Sequence, residues 1–452
     1  MDTPLATKLL QTLRGRGPTG AAAIQAELAV SQPTLSRVLS RLGPAVAVHG
    51  RARATRYAAV REVPGVPNPV SVYAQHADGQ LSRRTTLVAV APRGWLAAAG
   101  PAAGWYDDLP WFLQDLRPAG FLGRLAPRQA PALGLPPDVR EWSGDDILRW
   151  AVAVGADLPG NVLVGDDALN RALSAPTAPR VARGERTERY LDLAARVLEG
   201  EPAGSWAGGE QPKFLATRVD RGVDGSEYDT PVLVKFSPPV GESVGARVAD
   251  LLVAEHLALV AVHDAGHPAA TSRLIRAGGR MFLEVDRFDR LGRLGRRGVV
   301  SLAAVGAHFT GEIDGWTTAC ARLAHQGVIS EADARRARWL DRFGALIGNT
   351  DRHAWNLSFY AEEGRVSRLA PAYDMLPMRW YPRGGECPEG ALALPSLDGD
   401  DPAGWQTAGA AALRFWRTVA AHPMVSSAFS SIAVEAAQRV VVFCETAARL
   451  VP

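Results

Sequence analysis

The sequence predicts an α+β protein of two or three domains, and three observations support this fold class. At 452 residues the chain is too long for one compact core, and 47% hydrophobic with 21% charged residues is an ordinary globular composition. Short strand-like segments alternate with amphipathic helical segments in the first two thirds of the chain. The last third is mainly helical, with a loop-rich insertion at 379–404.

Positive charge is concentrated at the N-terminus, while the cysteines indicate a reducing compartment. Residues 1–62 contain nine Lys or Arg and three acids, a local net charge of +6 in a chain whose total is +3. The three cysteines are far apart and show no metal-ligand spacing. No segment has the pattern of a signal peptide or the length of a membrane span. We therefore expect a cytoplasmic protein that has no membrane partner.

Residues 1–62 are predicted to form a winged helix-turn-helix domain that binds duplex DNA without the rest of the chain. Three helices are expected, the third at 31–42 with Ser31 as N-cap, followed by two short strands around an arginine-rich turn. The alternative is a packing module whose arginines only solvate a surface. The side chains expected to meet bases and phosphates are Gln32, Thr34, Ser36, Arg37, Arg41, Arg51, Arg53 and Arg56.

The rest of the chain divides after a Pro- and Gly-rich stretch at 63–69, which is typical of a linker. Residues 70–190 are predicted to form one subdomain, β-rich over 71–130 and helical from 140. Residues 191–452 are predicted to form the larger unit. It begins with a glycine turn and two strands at 204–236.

The most specific motif is LIGNTDRHAWN, followed by LAPAYDMLP, which places Asp351, Asn356 and Asp374 in one order along the chain. An Asp, four residues, an Asn, a hairpin and a second Asp is the order used by protein-kinase-like phosphotransferases. Asp351 is the expected base for the acceptor hydroxyl. The oxygens of Asn356 and Asp374 are the expected Mg²⁺ ligands.

Three upstream features in the expected order support a nucleotide site. The glycine turn GGEQPK, containing Gly208, Gly209, Gln211 and Lys213, precedes a strand and suits phosphate binding. Lys235 ends the apolar strand VLVKF, and Glu255 lies on the following helix, where it could pair with that lysine.

Together these segments, with DRFDR at 286–290, resemble the HipA family of serine/threonine kinases, and the leading helix-turn-helix resembles its YjjJ-like branch. The resemblance implies a bilobal kinase-like fold, ATP, Mg²⁺ and a protein substrate, in a toxin–antitoxin-like system. It implies Asp351 as the base, Asn356 and Asp374 as metal ligands, and Lys235 at the nucleotide phosphates. Asp286 and Phe288 fall at the family's adenine-binding hinge.

Two positions depart from the family pattern, and some alternatives stay open. Glu210 stands where the family's loop carries Ala, and Ser205 is displaced by about one residue from the family's autophosphorylated serine. His353 is a cofactor-site candidate on the catalytic loop, with a structural role favoured. The alternatives to a protein kinase are a small-molecule phosphotransferase and a DNA-binding regulator that only senses nucleotide. A homodimer is also possible, as are separate protein partners.

Overall fold

The computed structural model describes residues 3–174, 178–200, 211–311, 313–397 and 401–449. The N-terminal module contains three helices and a three-stranded sheet of order β1-β3-β2. Apolar residues of all three helices, among them Leu9, Ile24 and Leu35, form its core. Its elements are α1 (Thr3–Arg16), β1 (Thr19–Gly20), α2 (Ala21–Leu28), α3 (Gln32–Leu42), β2 (Val46–His49) and β3 (Arg56–Ala59).

Helix α3 begins where expected, although its cap differs from the prediction. Ser31 occupies the N-cap position, but its hydroxyl contacts the Thr34 hydroxyl at 3.0 Å and makes no capping bond to a backbone N–H of the described helix. Pro33 lies in the first turn, where its missing N–H leaves no hydrogen bond unmade. Leu35 and Val38 are buried, so the polar side of the helix faces solvent.

The middle domain is built on a five-stranded antiparallel sheet of order β7-β6-β5-β4-β8. The predicted β-rich region ends at Tyr106, earlier than expected, because a 3₁₀ segment at Trp111–Leu116 buries four of its apolar side chains instead. The elements are β4 (Val70–Gln75), β5 (Leu81–Ala89), β6 (Trp95–Ala97), β7 (Gly104–Tyr106), α4 (Gly120–Gly123), α5 (Ala126–Gln129), α6 (Gly144–Val154), β8 (Val162–Val164) and α7 (Asp166–Ser174).

The stretch 63–69, expected to be a linker, packs into the middle domain. Val63 and Val66 are buried in its core, so the composition of this stretch was misleading. Arg61 also connects the N-terminal module to the middle domain, because its guanidinium donates two hydrogen bonds to Asp145, of 2.6 and 2.9 Å. A small shared cluster continues the contact and consists of Ala47, Ala58, Val90 and Leu96.

The next unit is an N-terminal lobe with a five-stranded sheet of order β12-β13-β11-β10-β9. One face carries Phe214, Phe236 and Phe282 against Tyr190 of α8, and the other face packs on the long helix α9. The elements are β9 (Arg180–Ala182), α8 (Arg186–Leu198), β10 (Lys213–Arg221), β11 (Glu227–Phe236), α9 (Ser243–Asp264), β12 (Ser272–Ala277), β13 (Arg280–Asp286), β14 (Arg290–Leu291) and β15 (Gly295–Arg296).

The C-terminal lobe is mainly helical, as predicted, with the expected hairpin between the catalytic loop and Asp374. Its elements are β16 (Val299–Ser301), α10 (Leu302–Phe309), α11 (Trp316–His325), α12 (Glu331–Leu346), β17 (Ser358–Glu362), β18 (Arg365–Leu369), α13 (Pro402–Ala421) and α14 (Ser427–Ala448). The two lobes and the mixed architecture agree with the predicted α+β, bilobal kinase-like fold.

Among the described residues, α14 alone is long and apolar enough to cross a membrane by length and composition. One side of it, including Phe429, Ala433 and Val440, is buried in the core of the lobe. Glu435 and Arg439 are exposed on another side. This is the pattern of a helix that packs one face on a protein core.

Candidate active site

A buried ion-pair group joins the two lobes at Lys235. This residue is the penultimate residue of β11 and is 4% exposed. Its Nζ lies 2.7 Å from both carboxylate oxygens of Glu255 on α9 and also contacts Oδ1 of Asp374. Burial would lower the pKa of Lys235, but the two carboxylates outweigh it and raise that pKa. Lys235 is therefore a charged ammonium at neutral pH.

A second lysine lies beside the first. Lys213 of β10 is paired directly with Lys235 in the antiparallel register and is 2% exposed. Gln211, two residues earlier, is also buried, and its Nε2 has no hydrogen-bond partner among the described residues. An orphaned donor next to two lysines fits a site for phosphate oxygens. Gly208, Gly209, Glu210 and Ser205 lie outside the described residues.

The loop that carries Asp351 and Asn356, the candidate catalytic loop, leaves helix α12 through Gly348. Its φ is +72°, and a Cβ there would lie 2.8 Å from the ring of Trp380, so glycine is required on two counts. The Asn349 side chain then accepts a hydrogen bond from the backbone N–H of Asp351 at 3.0 Å. These contacts fix the direction in which the Asp351 carboxylate leaves the loop.

Asp351 and Asn356 are held together by the loop itself. The Asn356 Nδ2 donates to the backbone carbonyl of Asp351 at 3.0 Å, which leaves its Oδ1 as the atom able to bind a metal. Asp374 has a φ of +53°, a left-handed conformation that Asp tolerates better than most residues and that is often found at active sites. Burial would raise the pKa of Asp374, but Lys235 keeps it below its ordinary value.

The described residues contain no group of three or more His, Cys, Asp or Glu arranged for a metal ion. The predicted Mg²⁺ ligands are one amide and one carboxylate. A donor set this small suits Mg²⁺ that takes its remaining ligands from nucleotide phosphates and water. The residues present therefore fit a nucleotide-borne Mg²⁺ and do not fit a metal held by protein alone.

His353 lies next to Asp351. Its Nε2 is 3.7 Å from Asp351 Oδ2, and its backbone carbonyl accepts hydrogen bonds from Asn356 and Trp316. Burial raises the pKa of Asp351, and a protonated His353 would oppose that shift. The main-chain bonds support the favoured structural role.

The two predicted hinge residues lie in different environments. Asp286 is on the face of β13 opposite to Lys235, and its carboxylate pairs with Arg218 and Arg273. Its side chain therefore does not point toward the cleft. Phe288 lies 5.6 Å, centroid to centroid, from Tyr373, the residue before Asp374. The aromatic residue is thus the hinge side chain that borders the candidate site.

A groove with a volume of about 580 Å³ opens beside the catalytic loop. It is lined by Asp351 and His353, by Arg379, and by Leu394 and Pro395 among others. The sequence reasoning missed Arg379, which follows the LAPAYDMLP motif but belongs to no recognisable spacing. Only its position just after a motif could have drawn attention to it.

The predicted DNA-contact residues lie on α3, on the turn between β2 and β3 and at the start of β3 in the N-terminal module. All are exposed except Thr34, which is half-buried. Gln32 accepts a hydrogen bond from Gln25, and Arg37 Nε approaches the Pro33 carbonyl at 3.4 Å. The turn between β2 and β3 requires Gly50, with φ +107°, since a Cβ there would lie 2.4 Å from a backbone oxygen.

Two family models match separate parts of the chain. A family model described as the middle domain of YjjJ-like toxins matches residues 66–173, and the HipA-like C-terminal domain matches residues 205–442. The curated protein Toxin YjjJ of Escherichia coli (strain K12) is 36% identical over 440 residues, which cover 96% of this chain and 98% of the relative.

Two solved structures resemble the chain more distantly. One belongs to the Shewanella oneidensis MR-1 toxin–antitoxin complex of HipA, HipB and its operator DNA. It is 16% identical, with a TM-score of 0.48, over 83% of this chain and 95% of its own. The Helicobacter pylori proinflammatory kinase CtkA is 13% identical, with a TM-score of 0.38, over 55% of this chain and 96% of its own.

Proposed function

The chain belongs to the YjjJ-like toxins, whose C-terminal half is a HipA-like domain, and from this premise we propose that it is an ATP- and Mg²⁺-dependent serine/threonine protein kinase. The observation that carries the proposal is the bridge from Lys235 to Glu255 and Asp374. A lysine held by a helix glutamate, next to a metal-binding aspartate, is the phosphate-side arrangement of protein kinases.

Each side chain then has a separate task. Lys235 and Lys213 hold the nucleotide phosphates, while Asp374 and Asn356 supply oxygens to Mg²⁺. Asp351 orients the acceptor hydroxyl and takes its proton. ATP with Mg²⁺ supplies the phosphoryl group and the charge neutralisation that its transfer needs. Phe288 would lie against the adenine.

The two alternatives are less well supported. A regulator that only senses nucleotide has no need of a carboxylate beside the acceptor groove, yet Asp351 lines it. A small-molecule kinase acting on cationic aminoglycosides would place a positive acceptor next to Arg352 and Arg379, a repulsive arrangement. Protein hydroxyls are the acceptors that fit better.

The test compares wild type with Asp351→Ala. The variant should lose phosphoryl transfer and keep ATP binding nearly intact, because the base acts on the acceptor and not on the nucleotide. Asp374→Ala should also weaken Mg²⁺-dependent ATP binding. Phosphoproteomics after expression of each form would identify the substrate. Wild-type phosphorylation by Asp351→Ala would rule out the assigned mechanism.

For the N-terminal module we propose duplex DNA as the ligand, used for transcriptional autoregulation. The supporting observation is that the polar side of α3 and the arginine-rich turn are exposed in the same module. In a winged helix-turn-helix protein, an exposed helix carries polar and basic side chains that contact base edges, and a basic hairpin contacts the DNA backbone.

A further inference from the structure

The groove beside the catalytic loop and the Lys235 ion-pair group share no lining residue among those described. Asp351 lines the groove, but among its described lining residues neither Lys235 nor Asp374 appears. Those two residues mark the side where the nucleotide phosphates would lie. The opposite side of the same carboxylate is where an acceptor hydroxyl must enter for in-line transfer.

Two arginines line this groove, and they differ in the ion pairs and hydrogen bonds that their side chains form. Arg352 is anchored, because its guanidinium pairs with Asp341 at 2.8 Å and also bonds the Asn349 carbonyl. Arg379 forms no ion pair within the part of the chain that the structure describes, and its Nε is buried there without a hydrogen bond. A buried donor without a partner is uncommon in native proteins. The guanidinium of Arg379 is thus not neutralised by the described residues around the groove, and its positive charge lines a groove that also contains Asp351.

The position of Arg379 is nevertheless well defined. Its backbone N–H donates to the Gly348 carbonyl at 3.0 Å, so the segment is tied to the start of the catalytic loop. Its guanidinium lies 6.0 Å from the Trp380 ring centroid. Because this main-chain bond survives a side-chain substitution, the charge of Arg379 can be changed while the segment stays attached.

We propose that the groove binds the segment of the substrate protein that carries the acceptor hydroxyl, and that Arg379 selects an acidic residue close to that serine or threonine. This inference rests on the proposed kinase function. An arginine fork recognises a carboxylate through two parallel hydrogen bonds, which gives direction as well as charge. Leu394 and Pro395 supply apolar surface for neighbouring side chains. The ligand class is therefore an acidic peptide segment.

The experiment measures binding and phosphoryl transfer separately on the full chain. Three fluorescein-labelled nonapeptides with one central serine carry glutamate, glutamine or lysine at the flanking positions. Their affinities are measured by fluorescence anisotropy at low salt, with Mg²⁺ and a non-hydrolysable ATP analogue. Transfer is measured with Mg²⁺ and ATP. The proteins are wild type, Arg379→Gln, Arg379→Lys and the control Arg383→Gln, an exposed arginine of the same segment.

Wild type should bind the glutamate peptide about five- to tenfold more tightly than the glutamine peptide, in line with one charge-assisted contact. Arg379→Gln should abolish that preference, Arg379→Lys should keep part of it, and Arg383→Gln should keep all of it. An acidic preference that is absent, or that persists in Arg379→Gln, overturns the inference. Acidic selectivity in binding with no transfer to any hydroxyl would overturn the kinase proposal and leave the groove assignment standing.

Discussion

At the residue scale, the site depends on a lysine kept charged inside the protein. Lys235 is almost fully buried, and burial alone would favour its neutral form. Glu255 and Asp374 reverse that preference for Lys235. Burial raises the pKa of Glu255 as well, and Lys235 opposes that rise. Lys235 and Asp374 therefore keep each other ionised.

If Lys235 contacts the nucleotide phosphates as proposed, Lys235→Ala should weaken ATP binding. Removal of one charge-assisted hydrogen bond to a phosphate costs about 1.5–3 kcal/mol, so the ATP concentration for half-maximal binding should rise about ten- to a hundredfold. Titration with a fluorescent ATP analogue measures it. Lys8→Ala is the matched control, because Lys8 is exposed on the N-terminal module. An unchanged titration would make Lys235 a bystander.

At the scale of elements, the hinge after β13 is fastened to the middle domain by a buried charge network. Arg290 donates to Asp157 at 2.6 Å, to Asp289 at 2.7 Å and to the Gly160 carbonyl at 2.7 Å. Arg287 also pairs with both aspartates. The segment that carries Phe288 is therefore held by Asp157 and Gly160 of the middle domain.

Arg290→Met should leave Arg287 to pair with the two aspartates and lower the free energy of unfolding by about 3–5 kcal/mol, because two buried carboxylates lose a partner. Arg293→Met, an exposed position of the same hairpin, is the control. Urea denaturation followed by tryptophan fluorescence measures both.

Burial would raise the pKa of Asp289, but the arginines lower it to about 2. Its contribution is thus present at neutral pH and is lost as the pH falls from about 4 toward 2. Equal stability of the two variants would contradict this account.

Sequence reasoning worked where the signal was local and failed where it depended on packing. The spacing of Asp351, Asn356 and Asp374 is set by one loop and one hairpin, so it can be seen in the chain. The face occupied by Asp286 depends on the register between β11 and β13, which pairs Lys235 with Leu283 and turns Asp286 to the other side. The prolines and glycine at 63–69 indicated a linker, but burial of Val63 and Val66 in the core of the middle domain decided the structure of this stretch.

At the scale of the whole molecule, the N-terminal module is part of one packed body with the middle domain. Arg61 is one attachment, since its Nε also donates to the Val90 carbonyl at 2.9 Å, and backbone bonds such as Ala91 N–H to the Ala59 carbonyl at 2.9 Å are another. The shared apolar cluster adds to both. Cutting the chain at residue 62 would expose this surface, so the full chain is the proper form in which to study DNA binding.

The last prediction concerns that binding. In the full chain, neutralising Arg51, Arg53 and Arg56 should weaken binding to every duplex and reduce the log–log salt slope by about one for each phosphate that is no longer neutralised. Replacing Gln32, Thr34 and Arg37 should instead relax discrimination between sequences more than it lowers non-specific affinity, because these side chains would face base edges. Fluorescence anisotropy over a salt series, on the protein's own promoter and on scrambled DNA, separates the two effects. Arg276→Gln, exposed on the distant strand β12, controls for a general decrease of positive charge. No binding to either duplex at low salt would favour a packing module, and the kinase proposal would stand, because its residues lie in the other half of the chain.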